Sequence, residues 1–375
     1  MKKDAELLAK LPTFFPAMNN EEKAFLESLP EEFLLECPYH AQEQMHWSGP
    51  ACAQMIHAFH GRPIPSQEEI ARDMGIDDWR FMNHETLEED FIRFMAKRNF
   101  VPGLYFPALY VKPQFKVAEE AGDFMYRHSK VLFDLDQQYF KALLVKHKEP
   151  VFMRIHFTTD DYNMPEEMAE RIDNVGHAVL LVGYNKDGFV VNDPWDKAQW
   201  GGKKGGKHTF ISNVELMGPN RPVNSTYDLV ATFSPLEAIF QLPYAVPFPN
   251  KEITVSVHVA MKGIKGIQSD YFVLRDVQGI LRADRNLTIA NSVSKCSAKN
   301  LLPGDESIIE WSIRTGERIG SVPLSAVIQA TLEIPVRPWE RNNGKSETVT
   351  IRTEAKTRID VKDPTWFPLY GMLSK

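Results

Sequence analysis

The chain has 375 residues, which is long enough for two or three domains that each bury a core. Its residues are 43% hydrophobic and 25% charged, and this composition excludes a largely disordered protein. The net charge of -7 gives no general attraction to nucleic acid or to anionic membrane surfaces, so we expect neither as a partner.

No apolar run reaches the length of a signal peptide or of a membrane span, because charged residues interrupt the first segment. The three cysteines are too few and too scattered for a disulfide framework. We therefore predict a cytoplasmic protein with free thiols, and the sequence leaves open whether it forms a homo-oligomer. The cysteines are Cys37, Cys52 and Cys296.

Helical signals dominate the first ninety residues or so. Residues 19–36 have apolar positions at helical spacing, and Pro30 divides them into two predicted short helices of an N-terminal helical segment, 1–36. The run ACAQMIHAFHG ends at Gly61, as a helix does, and Ser66 begins a Ser-x-x-Glu capping box.

Strand signals follow in the same domain. Apolar runs of strand length lie at 149–157 and 177–184, and the turn NKDG leads the second run into FVVNDPW. Helices in front and strands behind predict an α+β domain over residues 37–242.

A Pro-rich segment, PYAVPFP at 243–249, predicts a linker. Beyond it, apolar and polar residues alternate in KEITVSVHVAMKG, and further strand candidates include YFVLRDV, GILRADR and SIIEWSI. Several short strands without convincing helices predict an antiparallel, immunoglobulin-like β-sandwich over residues 250–365.

The first motif with catalytic chemistry is CPYHAQEQMHWSGPACAQMIHAF, residues 37–59. Gln42 stands six residues before Ser48, Trp47 precedes Ser48, and Gly-Pro-Ala follows it. The pattern resembles the nucleophile region of papain-like cysteine peptidases, most closely the double-glycine, bacteriocin-processing branch and its relatives. In those enzymes a cysteine occupies the position of Ser48.

The second motif, GHAVLLVGYNKDGFVVNDPW at residues 176–195, resembles the histidine-bearing strand of the same family. His177 follows Ser48 by 129 residues, close to the roughly 130–150 typical of papain-like enzymes. The NKDG turn folds the two strands together and brings Asp193 towards His177. The order and spacing of the two motifs imply a papain-like peptidase domain.

The resemblance implies a thiol peptidase or acyltransferase that acts on a peptide or protein through an acyl-enzyme, without a cofactor. Ser48 stands at the nucleophile position, His177 is the expected general base, and Asp193 orients its ring. Gln42 is expected to hold the oxyanion together with the backbone N–H of residue 48. The candidate substrate-binding residues are Trp47, Gly176 and Trp195.

Serine at the nucleophile position leaves three hypotheses open. Because a hydroxyl is far less acidic than a thiol, Ser48 is first explained as an inactivating replacement in a thiol enzyme. The second hypothesis is a natural pseudoenzyme that binds an extended peptide without cutting it. The third is a serine hydrolase with the triad Ser48, His177 and Asp193.

Structural explanations also exist for the same residues. Ser48 before Gly-Pro would make a good helix N-cap, and Asp193 would cap the turn before Pro194. Trp195 is as well suited to a packed core as to the wall of a cleft. Small neighbours favour Cys52 as a packed thiol rather than a nucleophile.

Two further patterns are weaker. His57 and His60 could bind a metal with His40 or His46, but no acidic or thiol partner has zinc-like spacing, so no metal site is predicted. The run GGKKGGKH at 201–208 matches part of a phosphate-binding loop, yet a histidine stands where Ser or Thr would hold magnesium. We predict a loop near the cleft.

Overall fold

The computed structural model describes residues 20–76, 87–105, 127–155, 177–217, 227–242, 247–262, 272–335 and 346–363, and also residues 6, 162, 163 and 165. Over these residues the chain is an α+β protein rich in strands, as predicted. One seven-stranded antiparallel sheet is followed along the chain by two smaller antiparallel sheets. We call residues 20–235 the first unit and residues 237–363 the second unit.

The described helices all belong to the first unit. Two predicted helix boundaries are confirmed: Gly61 follows the second helix with a φ of 60°, and Ser66 Oγ accepts the N–H of Glu69 at 3.1 Å. The helices are α1 (Asn20–Glu27), α2 (Ser48–Phe59), α3 (Gln67–Asp73), α4 (Leu87–Lys97), α5 (Ser129–His147), α6 (Lys197–Trp200) and α7 (Asn213–Met217).

The first sheet has the strand order β2-β7-β3-β4-β5-β6, and β1 also pairs with β4. Every residue of β4 is buried, because α2 packs on one face of the strand and α5 on the other. The strands are β1 (Phe33–Leu34), β2 (Phe100–Tyr105), β3 (Val151–Ile155), β4 (His177–Tyr184), β5 (Gly188–Asp193), β6 (Gly206–Ser212) and β7 (Tyr227–Pro235).

The second predicted N-terminal helix is wrong, because Phe33 and Leu34 form a strand. They pair with Tyr184 and Gly183 at the end of β4. A side chain at residue 183 would collide with the backbone carbonyl of Phe33, so the glycine permits this close approach. Long-range pairing here overrides the helical spacing of the local sequence.

The predicted turn between β4 and β5 is confirmed. Asn185 Oδ1 accepts the N–H groups of Asp187 and Gly188 at 2.8 Å and 3.0 Å. Such a turn is typical of Asn, whose side chain imitates a backbone carbonyl. The turn sets the register in which Leu180 lies opposite Asn192. In this register β5 ends beside the first residues of β4.

The second unit contains two antiparallel sheets, with strand orders β11-β14-β9-β8 and β12-β10-β15-β16, and β13 also pairs with β10. Apolar residues from both sheets belong to the same buried cluster. The immunoglobulin-like topology stays a prediction. The strands are β8 (Glu237–Gln241), β9 (Glu252–Ala260), β10 (Val273–Ala283), β11 (Leu287–Ile289), β12 (Val293–Lys295), β13 (Asn300–Leu301), β14 (Glu306–Thr315), β15 (Gly320–Pro335) and β16 (Ser346–Val361).

One strand replaces two predicted strands in this unit. The sequence separates YFVLRDV from GILRADR, whereas the structure joins them as β10 with an irregularity between Arg275 and Gln278. Asp276 has a φ of 52° at this point. A bulge lets the strand continue past the break in its alternating pattern.

The two units are joined through consecutive strands. Leu236 alone separates β7, which belongs to the first sheet, from β8, which pairs with β9 in the second unit. The second unit therefore begins before the predicted linker at 243–249. Two ion pairs also cross the junction, Lys262 with Glu149 and Arg93 with Glu347, each at 2.5 Å. None of the described helices has the length and apolar character needed to cross a membrane.

Candidate active site

Ser48 is the first residue of α2 and is partly exposed. The N-cap residue of the helix is Trp47, which makes no side-chain capping bond. Ser48 Oγ instead accepts the backbone N–H of Ala178 at 3.2 Å. The capping explanation for Ser48 is therefore wrong. Its side chain lies at the positive end of a helix and contacts the strand that carries His177.

The N–H of Ala178 is available to Ser48 because of the sheet register. The pairs between β4 and β5 begin at Leu180 and Asn192, so Ala178 lies beyond the end of that ladder. On its other side β4 pairs with β3, where Ala178 lies opposite Arg154. The end of β5 thus leaves room for Ser48 against the first residues of β4.

His177 and Asp193 form a buried pair. His177 Nε2 lies 2.7 Å from Asp193 Oδ1, and the two side chains are 2% and 0% exposed. Asp193 Oδ1 also accepts the N–H of Trp195 at 3.0 Å, which is the turn-capping bond that the sequence offers as its alternative role. The structure brings the two motifs together, and Asp193 makes both kinds of contact.

The two sequence motifs do not include Tyr162, which lies in the same cluster. Its hydroxyl donates to Asp193 Oδ2 at 2.8 Å, and its ring centroid is 4.8 Å from that of His177. The residue is 2% exposed. No motif in the single sequence surrounds Tyr162, so only the folded arrangement reveals it.

Gln42 lies beside this cluster but its amide is engaged elsewhere. Its Nε2 donates to the carbonyls of Gln44 and Met45 at 3.0 Å and 2.7 Å, and its backbone N–H donates to Pro194 at 2.8 Å. Its Oε1 is buried without a hydrogen-bond partner among the described residues. An oxyanion contact would require one N–H of the amide to leave a loop carbonyl, so that role stays a prediction.

Two of the candidate substrate-binding residues are buried. Trp47 is 7% exposed and donates its indole N–H to Ile76 at 3.3 Å. Trp195 is 0% exposed and donates to Gly201 at 2.8 Å. This geometry favours the packing alternative for Trp195. Gly176 lies outside the described residues, and contact of all three with a substrate stays a prediction.

The two buried thiols are unsuited to attack. Burial raises the pKa of Cys37 to about 12. Burial also raises the pKa of Cys52 well above its usual value, and the nearby Asp193 carboxylate adds to the effect. Since the thiolate is the reactive form, both cysteines behave as packed thiols, as predicted for Cys52.

Two histidines of the weaker metal pattern contact backbone carbonyls. His57 Nδ1 lies 2.8 Å from the carbonyl of Pro63, and His60 Nε2 lies 3.1 Å from that of Phe233. No group of three His, Cys, Asp or Glu side chains in the described ranges is arranged to hold a metal ion. The predicted loop at 201–208 is correct only for residues 201–205, where Gly205 packs against Trp195, because residues 206–208 belong to β6.

Solved structures that match this chain share little with it. A family 123 glycoside hydrolase from Clostridium perfringens is 8% identical over 32% of this chain, with a TM-score of 0.17, and the match spans 27% of the hydrolase. The full-length major pilin SpaD from Corynebacterium diphtheriae is 10% identical over 56% of this chain and 59% of its own length, with a TM-score of 0.23. TM-scores this low establish no shared fold.

A third structure, the ASH/PapD-like domain of human CEP192, is 11% identical, with a TM-score of 0.16, over 34% of this chain and 87% of that domain. No curated protein matches. Residues 34–218 match the model of the Peptidase_C39 like family, over a span that contains both motifs and Tyr162. This match supports a relationship of residues 34–218 to papain-like, C39-type peptidases and a papain-like peptidase fold.

Proposed function

We propose that the first unit holds the site of a papain-like thiol peptidase or acyltransferase, with Ser48 at the nucleophile position. The observation that carries the proposal is the buried 2.7 Å contact of His177 with Asp193, beside the start of α2 that bears Ser48. A peptide or amide bond is the proposed substrate, because the matching family is described as similar to C39 peptidases.

The geometry suits an acyl-transfer mechanism with a thiol. A nucleophile at residue 48 would lie at the N-terminus of α2, where the helix dipole stabilises a thiolate. His177 would take the proton of the nucleophile and give it to the leaving group, while Asp193 keeps the ring oriented. A serine hydroxyl gains much less from this arrangement, so we propose that Ser48 disables the chemistry.

A second candidate function is recognition of a peptide without cleavage. Two observations favour it: Ser48 Oγ accepts a backbone N–H, and both N–H groups of Gln42 are engaged with loop carbonyls. A site kept only for binding needs neither an activated nucleophile nor an oxyanion donor. The serine hydrolase alternative, a cytoplasmic location and homo-oligomer formation stay predictions.

The decisive experiment restores a thiol with Ser48→Cys. Alkylation by iodoacetamide is followed at residue 48 and at the three natural cysteines by peptide mass mapping. Ser66→Cys is the matched control, because Ser66 also stands at a helix start but is exposed and accepts the N–H of Glu69 instead of one from the strand that carries His177. We expect the thiol at residue 48 to react about 10- to 100-fold faster than the control thiol at pH 6 to 7.

Incubation of the Ser48→Cys form with a peptide library separates the two candidates. Turnover or a covalent acyl adduct, seen by intact mass, supports a disabled thiol enzyme. Binding of the same peptides by both forms without any product supports recognition. Equal alkylation of residue 48 and the control thiol contradicts the thiol-enzyme proposal.

A further inference from the structure

We propose that Tyr162 is a positioning residue that holds the Asp193 carboxylate in the plane in which it contacts His177. This inference rests on the proposed function, since it assigns Tyr162 to the same site. Its basis is a third donor on a buried carboxylate: the Tyr162 hydroxyl lies 2.8 Å from Asp193 Oδ2.

The two carboxylate oxygens of Asp193 have different partners. Oδ1 accepts from Trp195 N–H at 3.0 Å and contacts His177 Nε2 at 2.7 Å. Oδ2 accepts from Tyr162. Donors on one oxygen leave the carboxylate able to rotate about its terminal torsion, which has a broad energy minimum. A donor on the second oxygen removes that freedom.

The Tyr162 ring is itself held from two sides. Its centroid lies 4.8 Å from the His177 ring at an interplanar angle of 55°, and 5.2 Å from the Trp195 ring at 72°. These are edge or tilted contacts, which aromatic rings prefer to face-to-face stacking. Tyr162 therefore touches both members of the His177–Asp193 pair.

The next residue fastens the same turn to the other side of the cluster. Asn163 Nδ2 donates to the carbonyl of Trp200 at 2.9 Å. Gly201, with a φ of 77°, brings the backbone close to the Asn163 side chain. Residues 162–163 thus contact the segment 193–201 at several points, and the position of the Tyr162 hydroxyl is fixed by more than its own hydrogen bond.

The consequence for His177 is a defined tautomer. Because Nε2 faces a carboxylate that accepts hydrogen bonds, we expect the ring to carry its proton on Nε2, with Nδ1 as the nitrogen able to accept one. A carboxylate free to rotate would no longer impose this choice. We therefore expect Tyr162→Phe, which removes only the hydroxyl, to mix the two tautomers.

The test measures the His177 tautomer by ¹⁵N NMR in the otherwise unaltered chain, with the signal assigned by its loss in His177→Gln. Tyr39→Phe is the matched control, because the Tyr39 hydroxyl donates to the backbone carbonyl of Asp193 at 3.1 Å and not to its carboxylate. We expect a single Nε2–H tautomer in the parent and in Tyr39→Phe, and two populated tautomers in Tyr162→Phe. The same tautomer in all three forms overturns the proposal.

A second readout uses the Ser48→Cys form, in which Tyr162→Phe should slow alkylation of residue 48 about 3- to 10-fold while Tyr39→Phe leaves it unchanged. An unreactive thiol together with a tautomer change contradicts the proposed function but supports the role of Tyr162. A reactive thiol whose alkylation rate is unchanged by Tyr162→Phe, together with an unchanged His177 tautomer, supports the proposed function and contradicts the role of Tyr162. Should Tyr162→Phe not fold, NOEs between the ring protons of Tyr162 and His177 in the parent support the placement of Tyr162 against the pair, and their absence contradicts it.

Discussion

The two units bury different kinds of side chain. Among the described residues, the first unit buries charged and amide groups such as Gln42, His177 and Asp193, whereas the second unit buries only Ser307 and Thr315 of the polar types. A buried polar group that loses its partner costs about 1–3 kcal/mol. The first unit thus carries buried polar groups that each need a partner, among them the polar network of Tyr162, His177 and Asp193, whereas the second carries an apolar core that depends on shape.

The comparison can be tested first in the apolar core with Trp311→Ala. Trp311 is 3% exposed and packs so closely on Gly279 that a side chain there would overlap its ring. We expect a loss of about 3–5 kcal/mol in unfolding free energy, because the deletion leaves a cavity. Urea denaturation measures it. Alkylation of residue 48 in the Ser48→Cys form should not change; a parallel fall would show that the second unit supports the site.

The complementary test is a substitution in the polar network of the first unit. Asp193→Asn keeps the shape and most hydrogen bonds of the side chain but removes the charge that supports a protonated His177. In the Ser48→Cys form we expect alkylation of residue 48 to fall about 10- to 100-fold, and unfolding free energy to fall by only about 1–2 kcal/mol. A large loss of unfolding free energy with an unchanged alkylation rate of residue 48 would contradict the proposed difference between the two units.

At the junction between the units, we expect His60 to make a contribution to the unfolding free energy that is lost in acid. Burial, together with the charge of Lys262 in the second unit, lowers the pKa of His60 to about 4. A group whose pKa is depressed on folding contributes stability above its ordinary value near 6.5, and this contribution is lost as pH falls towards 4.

His60→Gln keeps a donor for the carbonyl of Phe233 but cannot take up a proton. The full pKa shift corresponds to roughly 3 kcal/mol, and partial solvent contact lowers this to about 1–2 kcal/mol. We expect the unfolding free energy of this variant to fall less steeply than that of the parent between pH 6.5 and 4. His258→Gln, on a strand of the second unit, is the control, and identical slopes for all three forms contradict the prediction.

The smallest expected effect concerns a helix start away from the site. Ser66 Oγ caps α3 by accepting the N–H of Glu69 at 3.1 Å. Ser66→Ala should lower the unfolding free energy by about 1 kcal/mol without changing alkylation of residue 48 in the Ser48→Cys form. A change in that rate would mean that α3 also positions the polar network.

The sequence was sufficient for features that have local patterns. The capping box at Ser66, the turn at Asn185 and the approach of Asp193 to His177 across that turn each predict what the structure shows. Tyr162 has no such pattern, because its contact with Asp193 depends on two distant segments of the chain meeting. The strand at residues 33–34 is missed for the same reason: its partners lie about 150 residues further along.

The hydrogen bond between Ala178 and Ser48 is another feature that the local sequence does not predict. Helix propensity and capping rules favour Ser48 as an N-cap, and nothing local argues against them. The β4–β5 ladder begins only at Leu180, so β5 supplies no partner for the N–H of Ala178, and Ser48 Oγ accepts it. Register is a property of the whole sheet, so no window of sequence contains it.

The single residue between β7 and β8 limits how the protein can be shortened or bent. With only Leu236 between two paired strands, this connection has no slack for a hinge, so a large swing of one unit would have to break strand pairs. A chain cut in the Pro-rich segment would keep β8 without β9. Its open edge, with Ile239 already 52% exposed, would invite pairing between copies and aggregation.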